Sequence, residues 1–144
     1  ESMAYTCAYW KDKQTLDDAQ FQKYDLICRK LHLEENEYLL DLGCGFGGFA
    51  KYAAENYGCR VVGVNLAKEQ VKFAKELCRK LPIELHCCDY RDVDKYNFKR
   101  CKFDKVAAIG LCEHIGPKNY KKWLTKISKK KEVNQLIHRL QGNP

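Results

Sequence analysis

A glycine-rich segment at residues 43–48 constrains the fold of this chain more than any other feature. It reads GCGFGG, with four glycines in six residues. The apolar run Glu37–Leu42 precedes it, and the segment Phe49–Asn56, with Gly58 at its end, has helical character. A buried strand that breaks into a tight loop and then opens a helix is typical of nucleotide-type sites, where the loop backbone approaches the ligand.

The rest of the chain alternates between predicted strands and helices. The predicted strands are Arg60–Asn65, Ile83–Cys88 and Lys105–Gly110, with Val133–Ile137 as a candidate fifth, and the predicted helices are 15–32, Lys68–Lys80 and Tyr120–Lys130. We expect Pro82 to stop the second of these helices. This alternation predicts an α/β fold with a doubly wound, mostly parallel sheet of Rossmann-like type. Ligands of such sheets bind outside the carboxyl ends of the strands, at the point where the strand order reverses.

Composition predicts one soluble domain. The 144 residues are 45% hydrophobic and 31% charged, and no apolar run reaches the about 20 residues that cross a bilayer. The first residues lack the basic and apolar regions of a signal peptide, so we expect no leader. The nine cysteines form no CxxC pair, and an odd count without such pairs favours a reduced, cytoplasmic protein over a disulfide framework.

The formal net charge of +7 is concentrated late, in Lys121, Lys122, Lys126 and Lys129–Lys131. A basic surface attracts nucleic acid or anionic lipid headgroups, whereas a solvated lysine-rich helix face binds neither. Charge alone does not choose among these interpretations.

Two residues at strand ends separate the ligands that this loop could bind. The spacing Gly43-x-Gly45-x-x-Gly48 also fits a dinucleotide fingerprint, which requires an acidic residue at the end of the next strand. That end is Asn65, which is not acidic. Asp41, immediately before the loop, is instead typical of S-adenosylmethionine sites, where it orients the amino acid portion of the cofactor. The pattern favours a methyltransferase over a dehydrogenase.

Five segments in order resemble the cyclopropane-fatty-acyl-phospholipid synthase family, which includes the mycolic acid cyclopropane synthases. The resemblance covers residue 1 to about residue 124. The matching segments, with the family form in parentheses, are Tyr5–Trp10 (YSCAYW), Asp41–Gly48 (DIGCGWGG), Val61–Asn65 (VVGVT) followed by Glu69-Gln70, Asp89–Asp92 (DYRD) and Glu113–Tyr120 (EHVGPKNY).

The resemblance implies a class I methyltransferase fold, a cofactor and a reaction. Members transfer a methylene, derived from the methyl group of S-adenosylmethionine, to the cis double bond of an unsaturated phospholipid acyl chain. The alkene attacks the sulfonium methyl group, a bound bicarbonate removes a proton from the carbocation, and the cyclopropane ring closes. Because a carbocation reacts readily with water, the chemistry requires a dry apolar tunnel.

The resemblance also assigns residues to roles. Bicarbonate is expected to bind at Cys7 and Glu113, with His138 as a third ligand on a looser match. The expected cofactor-binding residues are Tyr5, Thr6, Asp41, Gly43, Cys44, Gly45, Gly47, Gly48, Asn65, Leu66, Gln70, Asp89, Tyr90 and Arg91. No metal is expected.

The match weakens after Trp123, and the last strands of a seven-stranded class I sheet have no counterpart. We therefore expect an incomplete sheet, with residues 1–14 covering the active site, 15–124 forming the α/β core and 125–144 forming a divergent tail. The chain is then either a fragment or a truncated product. Two alternatives stay open: a small-molecule N- or C-methyltransferase on the same scaffold, and an inactive cofactor-binding remnant.

The lipid interpretation also predicts partners and location. We expect unsaturated phospholipid in an anionic membrane surface as the substrate partner, and no nucleic acid. An exposed sheet edge invites pairing with another chain, so a homo-oligomer is a further expectation. The expected location is cytoplasmic, peripherally associated with the inner face of the membrane.

Overall fold

A computed structural model describes residues 3–12, 15–93, 95, 96, 98, 99 and 102–128, together with the backbone of 131–139. These residues form five strands and five α-helices. The helices are α1 (Leu16–Leu31), α2 (Gly48–Tyr57), α3 (Lys68–Leu77), α4 (Cys112–Ile115) and α5 (Tyr120–Ser128), and the strands are β1 (Tyr38–Leu42), β2 (Arg60–Asn65), β3 (Ile83–Cys87), β4 (Phe103–Ile109) and β5 (Lys131–Arg139). Two short 3-10 turns lie at Tyr90–Asp92 and Pro117–Asn119.

The strands form one sheet in the order β3-β2-β1-β4-β5. Every neighbouring pair is parallel, and Leu40 of β1 aligns with both Val62 of β2 and Val106 of β4. The chain therefore winds outward from β1 to β3, returns, and continues on the other side of β1 with β4. This reversal confirms the predicted doubly wound α/β fold, and it places the switch point between the carboxyl ends of β1 and β4.

Successive side chains of each strand face opposite layers, so both faces of the sheet are covered. Leu39, Val61 and Ala107 pack against buried residues of α1 and α2 on one face. Leu40, Val62 and Val106 pack on the other face with α5, through Trp123 and Ile127. Burial on both faces explains why the strands read as continuous apolar runs, which is usual in parallel sheets.

Local capping fixes the helices that carry the site. Thr15 caps α1: its Oγ1 accepts a hydrogen bond from Asp18 N at 3.2 Å, and the Asp18 carboxylate accepts one from Thr15 N at 3.1 Å. Gly58 ends α2 with a φ of 64°, in the role that the sequence predicted.

The structure corrects the expected end of α3. The helix ends at Leu77, and Cys78 leaves the helical region with φ −100° and ψ 7°. The chain then turns, with Leu81 N donating to Cys78 O at 2.9 Å, so that Pro82 O can accept from Val61 N at the start of β3. The turn needed to join the sheet ends the helix before the proline is reached.

Eight of the nine cysteines lie among the described residues, where all eight are free and six are buried. Burial raises the pKa of Cys78 to about 11 and that of Cys112 to about 12, so these thiols are protonated at neutral pH. Among the described helices, none is both long and apolar enough to cross a bilayer. Of the late lysines, Lys129 and Lys130 lie outside the described residues.

Candidate cofactor cleft

Two adjoining pockets form one cleft at the switch point. The first lies between the N-terminal segment, the glycine loop and the end of β4, and the second extends toward the ends of β2 and β3. Gly43, Asn65, Leu111 and His114 line both pockets, which makes the cleft continuous. Of the residues predicted to bind a cofactor, those that line it are Tyr5, Thr6, Asp41, Gly43, Cys44, Gly45, Gly48, Asn65, Leu66, Asp89, Tyr90 and Arg91.

The glycine loop turns its backbone toward this cleft. Gly43 N and Cys44 N both donate to Val64 O, at 2.9 and 3.1 Å, which ties the loop to β2. Gly45 has a φ of 54°, and a Cβ added there would meet no protein atom within 4 Å. Its backbone is therefore accessible from the cleft, as a close-approaching ligand requires.

Gly47 has a different role, because it does not line the cleft. It has a φ of 84°, and an added Cβ would lie 2.9 Å from the Cβ of Ala74 in α3. Gly47 thus allows the start of α2 to pack closely against α3. In the structure this glycine, which we expected among the cofactor-binding residues, serves the packing of the two helices.

Asp41 supplies a buried carboxyl group at the base of the cleft. It is only 2% exposed, at the penultimate position of β1. Burial raises its pKa to about 7, because desolvation disfavours the charged form. A cationic group placed beside Asp41 would reverse this effect and favour the carboxylate.

Asn65 and Gln70 form a hydrogen-bonded pair beside the glycine loop. Asn65 Nδ2 donates to Gln70 Oε1 at 2.7 Å, joining the end of β2 to the first turns of α3. Gln70 does not line the cleft, so it acts by orienting Asn65. The bond fixes the amide of Asn65 with its oxygen available to accept hydrogen bonds from hydroxyl groups.

Asp89 and Arg91 form an ion pair at the far wall. The guanidinium Nη2 lies 2.6 Å from Asp89 Oδ2, and Arg91 N donates to Asp89 Oδ1 at 2.8 Å. The Arg91 side chain thereby holds the pKa of the Asp89 carboxyl below its usual value. Asp89 stays ionised in this wall, with Tyr90 next to it.

The N-terminal segment covers the cleft opposite the glycine loop and is tethered to one face of α1. Lys23 Nζ donates to Thr6 Oγ1 at 2.7 Å, Gln20 Nε2 donates to Thr6 O at 3.0 Å, and Tyr9 N donates to Ala19 O at 3.1 Å. The Lys23 side chain is fully buried, with its ammonium 4.8 Å from the Tyr24 ring centroid. Residues 3–6 line the first pocket as a result.

Of the three residues expected to hold bicarbonate, the structure describes the side chains of two, Cys7 and Glu113, and these differ in burial. Glu113 lies in the first turn of α4, and both its carboxylate oxygens are buried with no hydrogen-bond partner among the described residues. Cys7 is exposed and lines neither pocket of the cleft. The backbone of His138 pairs with Ala108 in the β4–β5 register, whereas its side chain lies outside the described residues.

Sequence reasoning assigned no role to several residues that line the cleft. Among them are Tyr24, from α1, and Leu111 and His114, after β4. The last two were detectable, because they follow a strand that ends at the switch point. Tyr24 was not, since only the packing of α1 brings it to the cleft. Within the described part of the chain, no group of three His, Cys, Asp or Glu residues is placed to hold a metal ion.

The comparisons with known proteins agree with this geometry. The family model of mycolic acid cyclopropane synthetase matches residues 1–139. The cyclopropane-fatty-acyl-phospholipid synthase of Escherichia coli K12 is 42% identical over 138 residues, covering 94% of this chain and 35% of that enzyme. The chain thus spans about a third of the length of this curated relative.

Solved structures show the same likeness. A mycolic acid cyclopropane synthase complexed with S-adenosylhomocysteine and CTAB matches with a TM-score of 0.79 and 30% identity, over 90% of this chain and 45% of that one. Coclaurine N-methyltransferase, bound to N-methylheliamine and S-adenosylhomocysteine, matches with a TM-score of 0.80 and 29% identity. The match covers 94% of this chain and 40% of that one. The chain belongs to the mycolic acid cyclopropane synthetase family of S-adenosylmethionine-dependent methyltransferases and cyclopropane synthases.

Proposed function

We propose that the protein of which this chain forms the cofactor-binding part transfers a methylene from S-adenosylmethionine to the cis double bond of an unsaturated phospholipid acyl chain. The product is a cyclopropane fatty acid. The observation that carries the proposal is the carboxylate of Glu113, which is buried and has no hydrogen-bond partner among the described residues. Glu113 belongs to the same short helix as the cleft residue His114. The 42% identity to the Escherichia coli enzyme supports the lipid substrate.

The residues present fit S-adenosylmethionine. The bare backbone at Gly45 would admit close approach of the cofactor, Asp41 would complement its α-ammonium group, and the amide oxygen of Asn65 would accept hydrogen bonds from its ribose hydroxyls. Tyr90 lies beside the ionised Asp89 in the second pocket, and we assign it to the adenine side of the cofactor. When bound, the cofactor supplies an electrophilic methyl group, and the residues of the cleft hold that group in position.

Bicarbonate fits the unpartnered carboxylate of Glu113. A buried carboxylate without a donor is unfavourable, so the site gains free energy from a ligand that donates a hydrogen bond. Bicarbonate carries one O–H group that can donate, and its other oxygens remain free to take up a proton. We assign Glu113 as the acceptor for this group, with Cys7 and His138 completing the site in the proposed enzyme.

The proposed setting is the cytoplasm, where the protein acts on phospholipid at an anionic membrane surface. The +7 charge and the lysines of α5 support this association. A homo-oligomer, as expected from the sequence, is part of the same proposal.

A second candidate function is methyl transfer to a small amine. It is favoured by the likeness to coclaurine N-methyltransferase, which covers 94% of this chain. The geometry of the cleft suits both candidate reactions, because both need the cofactor in the same position.

The test is to incubate the full-length protein with methyl-labelled S-adenosylmethionine and either dioleoyl phosphatidylglycerol vesicles or a panel of secondary amines. We expect label in a lipid that has gained one CH2 group and lost its double bond. Label in amines but not in lipid would establish the second candidate. Binding of S-adenosylhomocysteine without transfer to either substrate would indicate a remnant that keeps only the cofactor site.

A further inference from the structure

A second concave surface adjoins the cleft, between the 3-10 turn Tyr90–Asp92 and helix α5. We call it the basic pocket, and its polar and aromatic lining consists of Tyr90, Arg91, His114, Asn119, Lys122, Trp123 and Lys126. Arg91 and His114 also line the cofactor cleft, so the two sites share a wall. A group bound in the basic pocket would therefore lie next to the site of methyl transfer.

The pocket carries an excess of positive charge. Arg91, Lys122 and Lys126 line it, and α5 contains no acidic residue along its nine positions. The neighbouring carboxylates already have cationic partners: Asp89 pairs with Arg91, and Asp92 pairs with Lys95 at 2.8 Å. Asp89 can offset one of the three cations, so the field in the pocket favours an anion.

The pocket is also rich in hydrogen-bond donors. Guanidinium and ammonium groups only donate, and Asn119 Nδ2 already donates to Ile115 O at 2.9 Å. Trp123 is 5% exposed, and its indole Nε1–H finds no hydrogen-bond acceptor among the described residues. Donors around an excess of positive charge suit a ligand with several acceptor oxygens, and phosphate is the common biological group of that kind.

The surroundings identify the kind of phosphate. The pocket shares Tyr90, Arg91 and His114 with the cofactor cleft, so a phosphate held in it lies beside the place where the acyl chain of the proposed substrate reacts. A free phosphate compound would gain nothing from this shared wall, whereas a phospholipid would place its phosphodiester and its acyl chain in adjoining sites.

We propose that the basic pocket binds the phosphodiester of the lipid substrate, with Arg91, Lys122 and Lys126 as its ligands, while the acyl chain enters the adjoining cleft. The assignment rests on the proposed lipid function. It makes the pocket a specificity site, because headgroup binding beside the cleft fixes which part of the acyl chain reaches the methyl group.

The test compares two charge-matched double variants of the full-length protein. Lys122→Gln/Lys126→Gln alters the basic pocket, and Lys72→Gln/Lys75→Gln removes the same charge from exposed positions on α3. With dioleoyl phosphatidylglycerol in mixed micelles, we expect the first pair to raise KM on the order of tenfold, with kcat and S-adenosylhomocysteine affinity unchanged. We expect the second pair to change KM by about threefold or less. Equal effects of the two pairs would mean diffuse surface charge and would overturn the proposal.

Two further experiments distinguish a lipid phosphate from a soluble phosphate compound. They also distinguish failure of the pocket proposal from failure of the proposed function. Sedimentation with phosphatidylglycerol vesicles reports binding without turnover, and inorganic phosphate is added as a competitor at constant ionic strength. Saturable phosphate binding that depends on Lys122 and Lys126, with vesicle binding that does not, would reassign the pocket to a soluble phosphate compound and overturn the lipid assignment. Absence of methylene transfer by the unaltered protein would refute the proposed function, whereas transfer with an unchanged KM in the first pair would refute the pocket alone.

Discussion

At the scale of single residues, the cleft depends on groups whose environment, more than their identity, gives them a role. Asp41 is one of many acidic residues in the sequence, but it alone among the described carboxyl groups has its pKa raised to about 7, by complete burial. Gly45 is one of nine glycines, and its importance comes from the empty space in front of its Cα atom.

Replacing Gly45 with valine should abolish cofactor binding and leave the protein folded. The valine side chain would project into open cleft, and its left-handed φ would cost only about 1–2 kcal/mol of stability. We expect S-adenosylhomocysteine affinity, measured by calorimetry, to fall by at least about tenfold. Gly116→Val is a stringent control for backbone strain, because Gly116 has φ 78° and ψ 143°, a conformation essentially restricted to glycine, but lines neither pocket of the cleft. Equal losses in the two variants would attribute the effect to backbone strain.

Cofactor affinity should rise with pH through the titration of Asp41. A folded-state pKa of about 7, above the ordinary 3.8, means that the folded protein holds this proton more tightly than the unfolded chain. The free energy of unfolding therefore loses a contribution as pH rises from about 4 to about 7. A bound α-ammonium group favours the carboxylate, so cofactor binding releases the proton and strengthens as pH rises toward 7.

Calorimetry with S-adenosylhomocysteine between pH 5.5 and 8 measures this dependence. We expect affinity to increase by up to about tenfold per pH unit below pH 7 and to level off above it. Asp41→Asn should bind more weakly at pH 8 and lose most of the slope. A slope that persists in this variant would have to come from another group and would contradict the assignment to Asp41.

At the scale of elements, the N-terminal segment is held against α1 over the cofactor cleft. We call these contacts of Thr6 with Lys23 and Gln20 the latch. Thr6 contributes its hydroxyl and its carbonyl, and Lys23 and Gln20 of α1 hold them. A hydrogen bond from a charged donor contributes about 1.5–3 kcal/mol, and here the donor is fully buried. The latch therefore positions the segment without itself contacting the reacting atoms.

Thr6→Val should open this latch, while Thr6→Ser should keep it closed. We expect the valine variant to lose about tenfold in S-adenosylhomocysteine affinity and to exchange the Tyr9 amide hydrogen faster, because the bond from Tyr9 N to Ala19 O loses its neighbour. Lys23→Met should add little to Thr6→Val in the double variant, since the two residues share one interaction. Thr125→Val is the control, because it removes a hydroxyl group from an exposed position of α5. Fully additive effects of the two substitutions would argue against the latch.

The elements that were predictable are those whose periodicity is set by burial on the sheet. Strand β2 was predicted at its exact bounds because Val61–Val64 are buried on both faces. Helix α4 and the two 3-10 turns were missed, since three or four residues are too few to show a period. The end of α3 was placed too late because a turn into β3, invisible in the local pattern, ends the helix ahead of Pro82.

At the scale of the whole molecule, the predicted site residues divide by how far their position depends on the fold. Residues that follow strands meet in one cleft because parallel strands present their carboxyl ends at one edge, and this follows from sequence alone. The exposure of Cys7 and the burial of the Glu113 carboxylate do not follow from the sequence alone, because both depend on packing between distant segments.

The proposed bicarbonate site joins three such distant segments, so it tests the assembled protein. Cys7 precedes α1, Glu113 follows β4, and His138 lies in β5. Because Cys7 is exposed whereas the carboxylate oxygens of Glu113 are buried, we expect Glu113 to hold the anion more firmly than Cys7 does. We therefore expect Cys7→Ala to reduce turnover less than Glu113→Ala when cofactor and lipid are saturating.

In the full-length protein, Glu113→Ala should slow ring formation while S-adenosylmethionine affinity stays nearly intact, because Glu113 acts on the base and not on the cofactor. Glu113→Gln keeps an oxygen that accepts a hydrogen bond, so it should lose less. Added bicarbonate should partly restore Glu113→Gln, since occupancy of a weakened site follows mass action. Methylene transfer to unsaturated phospholipid, measured with and without added bicarbonate, gives the result. If Glu113→Ala lost cofactor affinity in step with activity, the carboxylate would belong to the cofactor site. Its oxygens would then bind the cofactor and not an anion.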